Sequence, residues 1–183
     1  MPRFSPDISD RLKQFITDQK VFFLAAATKN STINLSLKGM NSLRVIDSTH
    51  VVWLNVTCSG NETSAHVQEN PRMTLMFTAF EGNPLILRLY GKAQVIHNND
   101  PEWSAYISLF PLIPGARQLF KLSIELVQTS CGMSIPLMDY QGERDLLNNW
   151  ATKHGEESIK EYWTENNQES IDGIVTNILD KSK

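Results

Sequence analysis

An antiparallel β-barrel of six or seven short strands, with helices packed outside it, is the fold class this sequence predicts. Short runs rich in Val, Ile, Leu and Phe recur along the chain, and several alternate strictly between apolar and polar residues. Tight polar turns join them, and one short helix is interposed, without the regular strand-helix alternation that a parallel sheet requires. Closing the sheet would also remove the unpaired edges that such short strands otherwise leave.

The elements follow in order. Residues 7–19 place Ile8, Leu12, Phe15 and Ile16 at helical spacing behind Asp7 or Ser9 as a cap, which predicts an amphipathic helix lying over the sheet. The apolar run 21–28 and the return strand 33–37 flank the turn Lys29-Asn30-Ser31-Thr32 and read as a hairpin. Strands over 43–46 and 51–56 come next, and the Ser/Gly/Asn-rich loop after them leads into the short helix, which Asn70-Pro71 stops. Residues 72–80 and 85–97 both alternate, and Gly91 in the middle of the second predicts a bulge or bend. A helix from Pro101 to about Phe110 precedes the clearest alternation in the chain, residues 119–128, with Phe120, Leu122, Ile124 and Leu126 expected inward. A helical tail over about 142–183 carries the stripe Leu146, Leu147, Trp150 and Ala151, and Gly155 divides it.

A chain of 183 residues supports one domain with a sizeable core, so residues 1–183 are expected to form a single unit. Lys plus Arg number 17 against 20 Asp plus Glu, and no basic cluster stands out, which argues against a nucleic-acid groove. No run has the length of a signal peptide core or a bilayer span, so a cytoplasmic protein without a membrane partner is expected. Cys58 and Cys131 are far apart and form no Cys-x-x-Cys pair, which fits free thiols, with Cys131 read as a buried one. His50, His66, His97 and His154 share no metal-ligand spacing, so no metal site is expected. His66 reads as a helix-surface residue and Trp150 as core.

The loop SGNETSAH, residues 59–66, carries the chemistry. Ser59 and Glu62 have capping-box spacing, which predicts a helix beginning near Gly60 with its first-turn amides directed at the loop. Those amides and the hydroxyls of Thr63 and Ser64 are suited to an anion, a phosphate above all, although Glu62 opposes one unless its carboxylate is tied back.

NLSLKG at 34–39, SLRV at 42–45, SGNETSAH, ENPRMTLMF at 69–77 and LRLYGKAQV at 87–95 together resemble the pyridoxamine 5'-phosphate oxidase family. The later SCGMSIPLMDYQGERDLLNNWA, from residue 130, and SIDG at 170–173 resemble the tail of a subgroup of its small members. The resemblance implies an FMN-binding split β-barrel and a homodimer, with FMN in grooves between the two barrels. It places Thr63 and Ser64 where the founding oxidases have an Arg-Lys pair on the FMN phosphate. Neutralisation then falls to Lys38 or Arg44, beside Ser59, Gly60 and Asn61 of the loop. Trp53 and Leu54 stand where those enzymes have Tyr-Thr, which leaves Asn55 as the polar contact. Ser36 and Gly39, on and after the NLSLKG strand, would lie along the isoalloxazine ring.

The activity so implied is an FMN-dependent oxidoreduction of a small substrate, with NAD(P)H as a candidate donor. A basic, substrate-phosphate-gripping C-terminal segment is absent, so oxidation of pyridoxamine 5'-phosphate itself is not expected. A non-catalytic flavin-binding or redox-sensing protein, or a barrel using deazaflavin or haem, remain open alternatives.

Overall fold

The computed structural model describes residues 3–179, so residues 180–183 of the expected helical tail lie outside the described residues. Eight strands form one antiparallel sheet: β1 (Arg3–Ser5), β2 (Phe22–Ala26), β3 (Asn34–Lys38), β4 (Leu43–Val45), β5 (His50–Val56), β6 (Arg72–Thr78), β7 (Ile86–Ile96) and β8 (Ala116–Ser130). The main path runs β3-β2-β6-β7-β8-β5-β4, and β1 pairs with the far end of β8. The count is one more than the upper expectation, because the three-residue β1 has no alternation to announce it. No pairing joins β3 to β4, so the sheet curls into a half-barrel with an open seam.

Helix α1 (Asp10–Asp18) begins at Ser9, whose hydroxyl accepts a hydrogen bond from the Leu12 amide at 3.4 Å. Its Leu12, Phe15 and Ile16 pack with Phe22, Leu43, Val45 and Phe77, apolar residues contributed by strands on both sides of the seam. The main core also holds Leu24, Leu75, Leu87, Leu89 and Leu122, with the Trp53 and Phe120 rings stacked 4.5 Å apart. A stacked pair of this kind contributes about 1 kcal/mol beyond its buried area. Helix α2 (Glu62–Glu69) links β5 to β6, and α3 (Trp103–Ile107) is shorter than the sequence suggested, with no buried residue to extend it.

Helix α4 (Leu146–Asn166) is kinked at Gly155, whose φ of 74° takes the left-handed region that glycine favours. The residues it buries are Ala151, Ile159 and Trp163, whereas Leu146 of the expected stripe is exposed. The packing face rotates at the kink, which a single helical period does not register.

Two irregularities in β8 decide which side chains enter the interior. Tyr90 pairs with Leu126 and Gly91 with Ile124, which leaves Glu125 unmatched. A Cβ on Gly91 would lie 2.0 Å from the Ser123 carbonyl oxygen, so the bulge expected there needs glycine. The parity flips across it: Ile124 is buried, Leu126 is exposed against expectation, and Val127 takes the inward place. At the other end Asn55 pairs with Gln118 and Val56 with Ala116, leaving Arg117 as the extra residue. Arg117 and Gln118 are consequently both buried, although they are sequence neighbours.

Candidate functional site

Strand β3 has its polarity inverted. Asn34, Ser36 and Lys38 pair with Ala26, Leu24 and Phe22, whose side chains are buried, so the polar residues of β3 share the half-buried face. Leu35 and Leu37 point the other way and are exposed, as is Ile33 just before them. Ser36 donates to Asn34 Oδ1 at 3.1 Å, and Asn34 Nδ2 donates to Thr63 Oγ1 at 2.9 Å, which ties this face to the start of α2.

That helix start differs from the expected one. The N-cap is Asn61 rather than Ser59, and no side chain caps the helix. The Glu62 carboxylate, which a capping box would turn back, instead accepts from the Ile171 amide at 3.0 Å. The C-terminal chain thus takes the partner that local spacing assigned to Ser59. Ser64 is fully buried: its hydroxyl donates to the Thr176 carbonyl at 3.3 Å and accepts from Gln118 Nε2 at 3.0 Å and Gln68 Nε2 at 3.1 Å. Its one hydroxyl hydrogen is therefore committed within the chain.

The cations are arranged around the same loop. Arg117 is 2% exposed and projects from its bulge to donate to the Gly60 carbonyl at 3.0 Å and to Asn167 Oδ1 at 2.7 Å. Its Nε has no partner. Lys38 places Nζ 5.4 Å from the centroid of the Trp53 ring. Neither cation makes an ion pair among the described residues. Burial, aided by the positive charge of Arg117, lowers Lys38 from 10.5 to about 8, while Cys58 acts in the opposite sense. Burial likewise lowers Arg117 to about 10, still protonated at neutral pH.

Unpartnered polar atoms collect in the same region. Asn61 is 2% exposed with both side-chain polar atoms unpaired, and Gln118 Oε1 and Trp53 Nε1 are also buried without partners. Buried polar atoms ordinarily find partners, and a buried guanidinium without a carboxylate is costly. Two cations without a carboxylate and an unpaired amide thus gather around the loop, a charge balance that favours an anion.

The sequence-predicted residues divide accordingly. Gly60, Thr63 and Ser64 are hydrogen-bonded to Arg117, Asn34 and Gln118 respectively, whereas Lys38 lies over the Trp53 ring and the Asn61 side chain is buried without a partner. Ser36 donates to Asn34, and Ser59 contributes a carbonyl that faces Asn167 Nδ2 at 3.5 Å. Asn55 is buried beside Gln118 across the β5–β8 ladder, and Gly39 follows Lys38, its Cα side facing the Lys20 carbonyl. Arg44 lies apart: its guanidinium donates to the carbonyls of Leu109, Asn41 and Leu43 and covers the Phe110 ring at 4.8 Å.

His66 is fully buried rather than on a helix surface, with Nδ1 3.1 Å from the Ala26 carbonyl and Nε2 3.8 Å from Asp172. Cys131, read from sequence as buried, is exposed, as is Cys58. No group of three or more His, Cys, Asp or Glu among the described residues is placed to hold a metal ion. Sequence reading missed Arg117 and Asn167. The Arg-Gln pair just ahead of the β8 alternation was the available signal for the first; Asn167 sits in a polar stretch that gives none.

Residues 8–131 match the family model described as pyridoxamine 5'-phosphate oxidase. A pyridoxamine 5'-phosphate oxidase family protein of Aspergillus flavus, ustO, is 38% identical over 144 residues, covering 76% of this chain; the chain spans 58% of that relative's length. Among solved structures, a putative pyridoxamine 5'-phosphate oxidase from Lactobacillus delbrueckii aligns with a TM-score of 0.53 at 18% identity, covering 67% of this chain and 94% of that one. HutZ, described as the heme storage protein of Vibrio cholerae, aligns with a TM-score of 0.51 at 16% identity, covering 69% and 97%.

Proposed function

The chain belongs to the pyridoxamine 5'-phosphate oxidase family, and from that premise we propose that it binds FMN and serves as an FMN-dependent oxidoreductase for a small substrate. The observation that carries this reading is the pair of cations without a carboxylate, half-buried Lys38 and fully buried Arg117, the latter bonded to the Gly60 carbonyl. The residues present fit a phosphate dianion. Lys38 would supply charge, Arg117 Nε and Asn61 Nδ2 are donors without partners, and no acidic side chain among the described residues pairs with either cation. In this reading the phosphate-holding duty passes from Thr63 and Ser64 to Lys38, Arg117 and Asn61, and Arg44 is left to structural work.

When bound, the flavin supplies hydride and electron transfer, so the chain needs no nucleophile of its own. Its residues would hold the phosphate, present Ser36 and the β3 backbone to the ring, and shield the site from water. NAD(P)H is the candidate electron donor. Ile33, Leu35 and Leu37 form an exposed apolar row on an edge strand, which supports a homodimer in which a second copy covers this face. No helix among the described residues is long and apolar enough to cross a membrane.

HutZ, by its description, stores haem, and the fold shared with it admits the same ligand here as a second reading. The cations suit the phosphate of FMN and the propionates of haem alike, so the two readings separate by which ligand the protein takes up. Titrating the purified protein with FMN, following flavin fluorescence, tests the proposal: saturable binding is expected, and protein that takes up haem but no flavin would reject it.

A further inference from the structure

The match to the family ends at residue 131, yet Arg117 and Ser64 are both hydrogen-bonded by chain beyond that point. Asn167 follows the last turn of α4, its amide donating to the Trp163 carbonyl at 3.0 Å, and it is fully buried. Its Oδ1 accepts from Arg117 Nη1 at 2.7 Å, and its Nδ2 donates to the Cys58 carbonyl at 3.1 Å. Its own carbonyl accepts from Thr176 Oγ1 at 2.6 Å. Donors on one side and carbonyls on the other fix the amide in a single orientation.

The chemistry of this partner matters more than its presence. A buried arginine is ordinarily met by a carboxylate, which would cancel its charge. Here a neutral amide holds the guanidinium in place and leaves its charge intact. A carboxylate at this position would also set an anionic oxygen against the Cys58 and Ser59 carbonyls, so the surroundings select the amide.

We infer that Asn167 is a positioning residue that directs Arg117 toward the phosphate of the bound ligand while leaving the site cationic, and so makes the protein prefer FMN to riboflavin. The inference rests on the FMN reading for the identity of the ligand, whereas its core is an anion site of net positive charge. The C-terminal segment is then part of the binding site in its own right: Thr176 supports Asn167, and Ile171 engages Glu62, the one carboxylate in the first turn of α2.

The test uses the full chain as wild type, Asn167→Asp and Asn167→Ala, with two measurements. Binding of FMN and of riboflavin gives the preference for a phosphate, and the rise in melting temperature on adding inorganic phosphate reports the anion site without any flavin. Asn167→Asp is expected to weaken FMN roughly 10- to 100-fold, the scale of hydrogen bonds to charged groups, with riboflavin unchanged. The same variant should abolish the stabilisation by phosphate. Asn167→Ala should weaken FMN selectively but to a smaller degree, since Arg117 keeps its charge.

Equal losses for FMN and riboflavin in both variants would reduce Asn167 to a structural residue and overturn the inference while sparing the FMN reading. Wild type that binds neither flavin, yet is stabilised by phosphate in a way Asn167→Asp removes, would reject FMN and uphold the inference. Phosphate stabilisation equal in wild type and Asn167→Asp would overturn it.

Discussion

At the scale of single residues, Lys38 is the group whose charge the environment most nearly removes. It titrates at about 8 because burial and Arg117 both disfavour the ammonium. A phosphate beside it reverses that balance, and the phosphate itself is already a dianion above neutral pH. FMN binding is therefore expected to be strongest below about pH 8 and to weaken as pH rises through Lys38's titration toward 10.5. Lys38→Met should bind FMN more weakly at pH 7 and show a flat profile, as titrations from pH 7 to 9.5 would reveal; a wild-type profile equally flat would contradict the role. In the free protein the sign is opposite. The unfolded chain holds the Lys38 proton more tightly between about 8 and 10.5, so the penalty on the folded state is complete below this window and is relieved as pH rises through it.

At the scale of elements, β8 does most to shape the site, because its two bulges choose which residues face inward. The bulge opposite Gly91 is the more constrained. Replacing Gly91 with Ala drives a methyl group into the Ser123 carbonyl, so a loss of about 3 kcal/mol, seen as a lower urea midpoint, is expected. An unchanged midpoint would show that the β7–β8 ladder can shift at little cost. Much of this architecture was legible in the sequence: the alternation of β6, β7 and β8, the glycine bulge, Ser9 as a helix cap and the break at Gly155. What alternation could not show was the change of parity after a bulge, which exposes Leu126 and buries Arg117 beside Gln118. The helix start at 59–62 misled for a related reason. Its spacing favoured a local cap, but the Glu62 carboxylate found its partner at Ile171, more than a hundred residues away in sequence. Lys38 and Asn61 could be picked out as binding candidates; Arg117 and Asn167 become neighbours only through folding.

At the scale of the whole molecule, the half-barrel leaves one edge strand with leucines outward and polar groups inward, an arrangement that suits a strand between a second copy and a ligand. Leu35→Glu combined with Leu37→Glu should turn a wild-type dimer into monomers in sedimentation velocity; a monomeric wild type would remove the dimer from the account. If the phosphate of FMN is what completes Lys38 and Arg117, as proposed, FMN and riboflavin, which share the ring and differ in that phosphate, should bind with very different strength. The direct measurement is the ratio of their two dissociation constants for the wild-type protein at pH 7. FMN tighter by at least about tenfold is the result predicted from charged hydrogen bonds of this kind; equal constants, or no binding of either flavin, would contradict it.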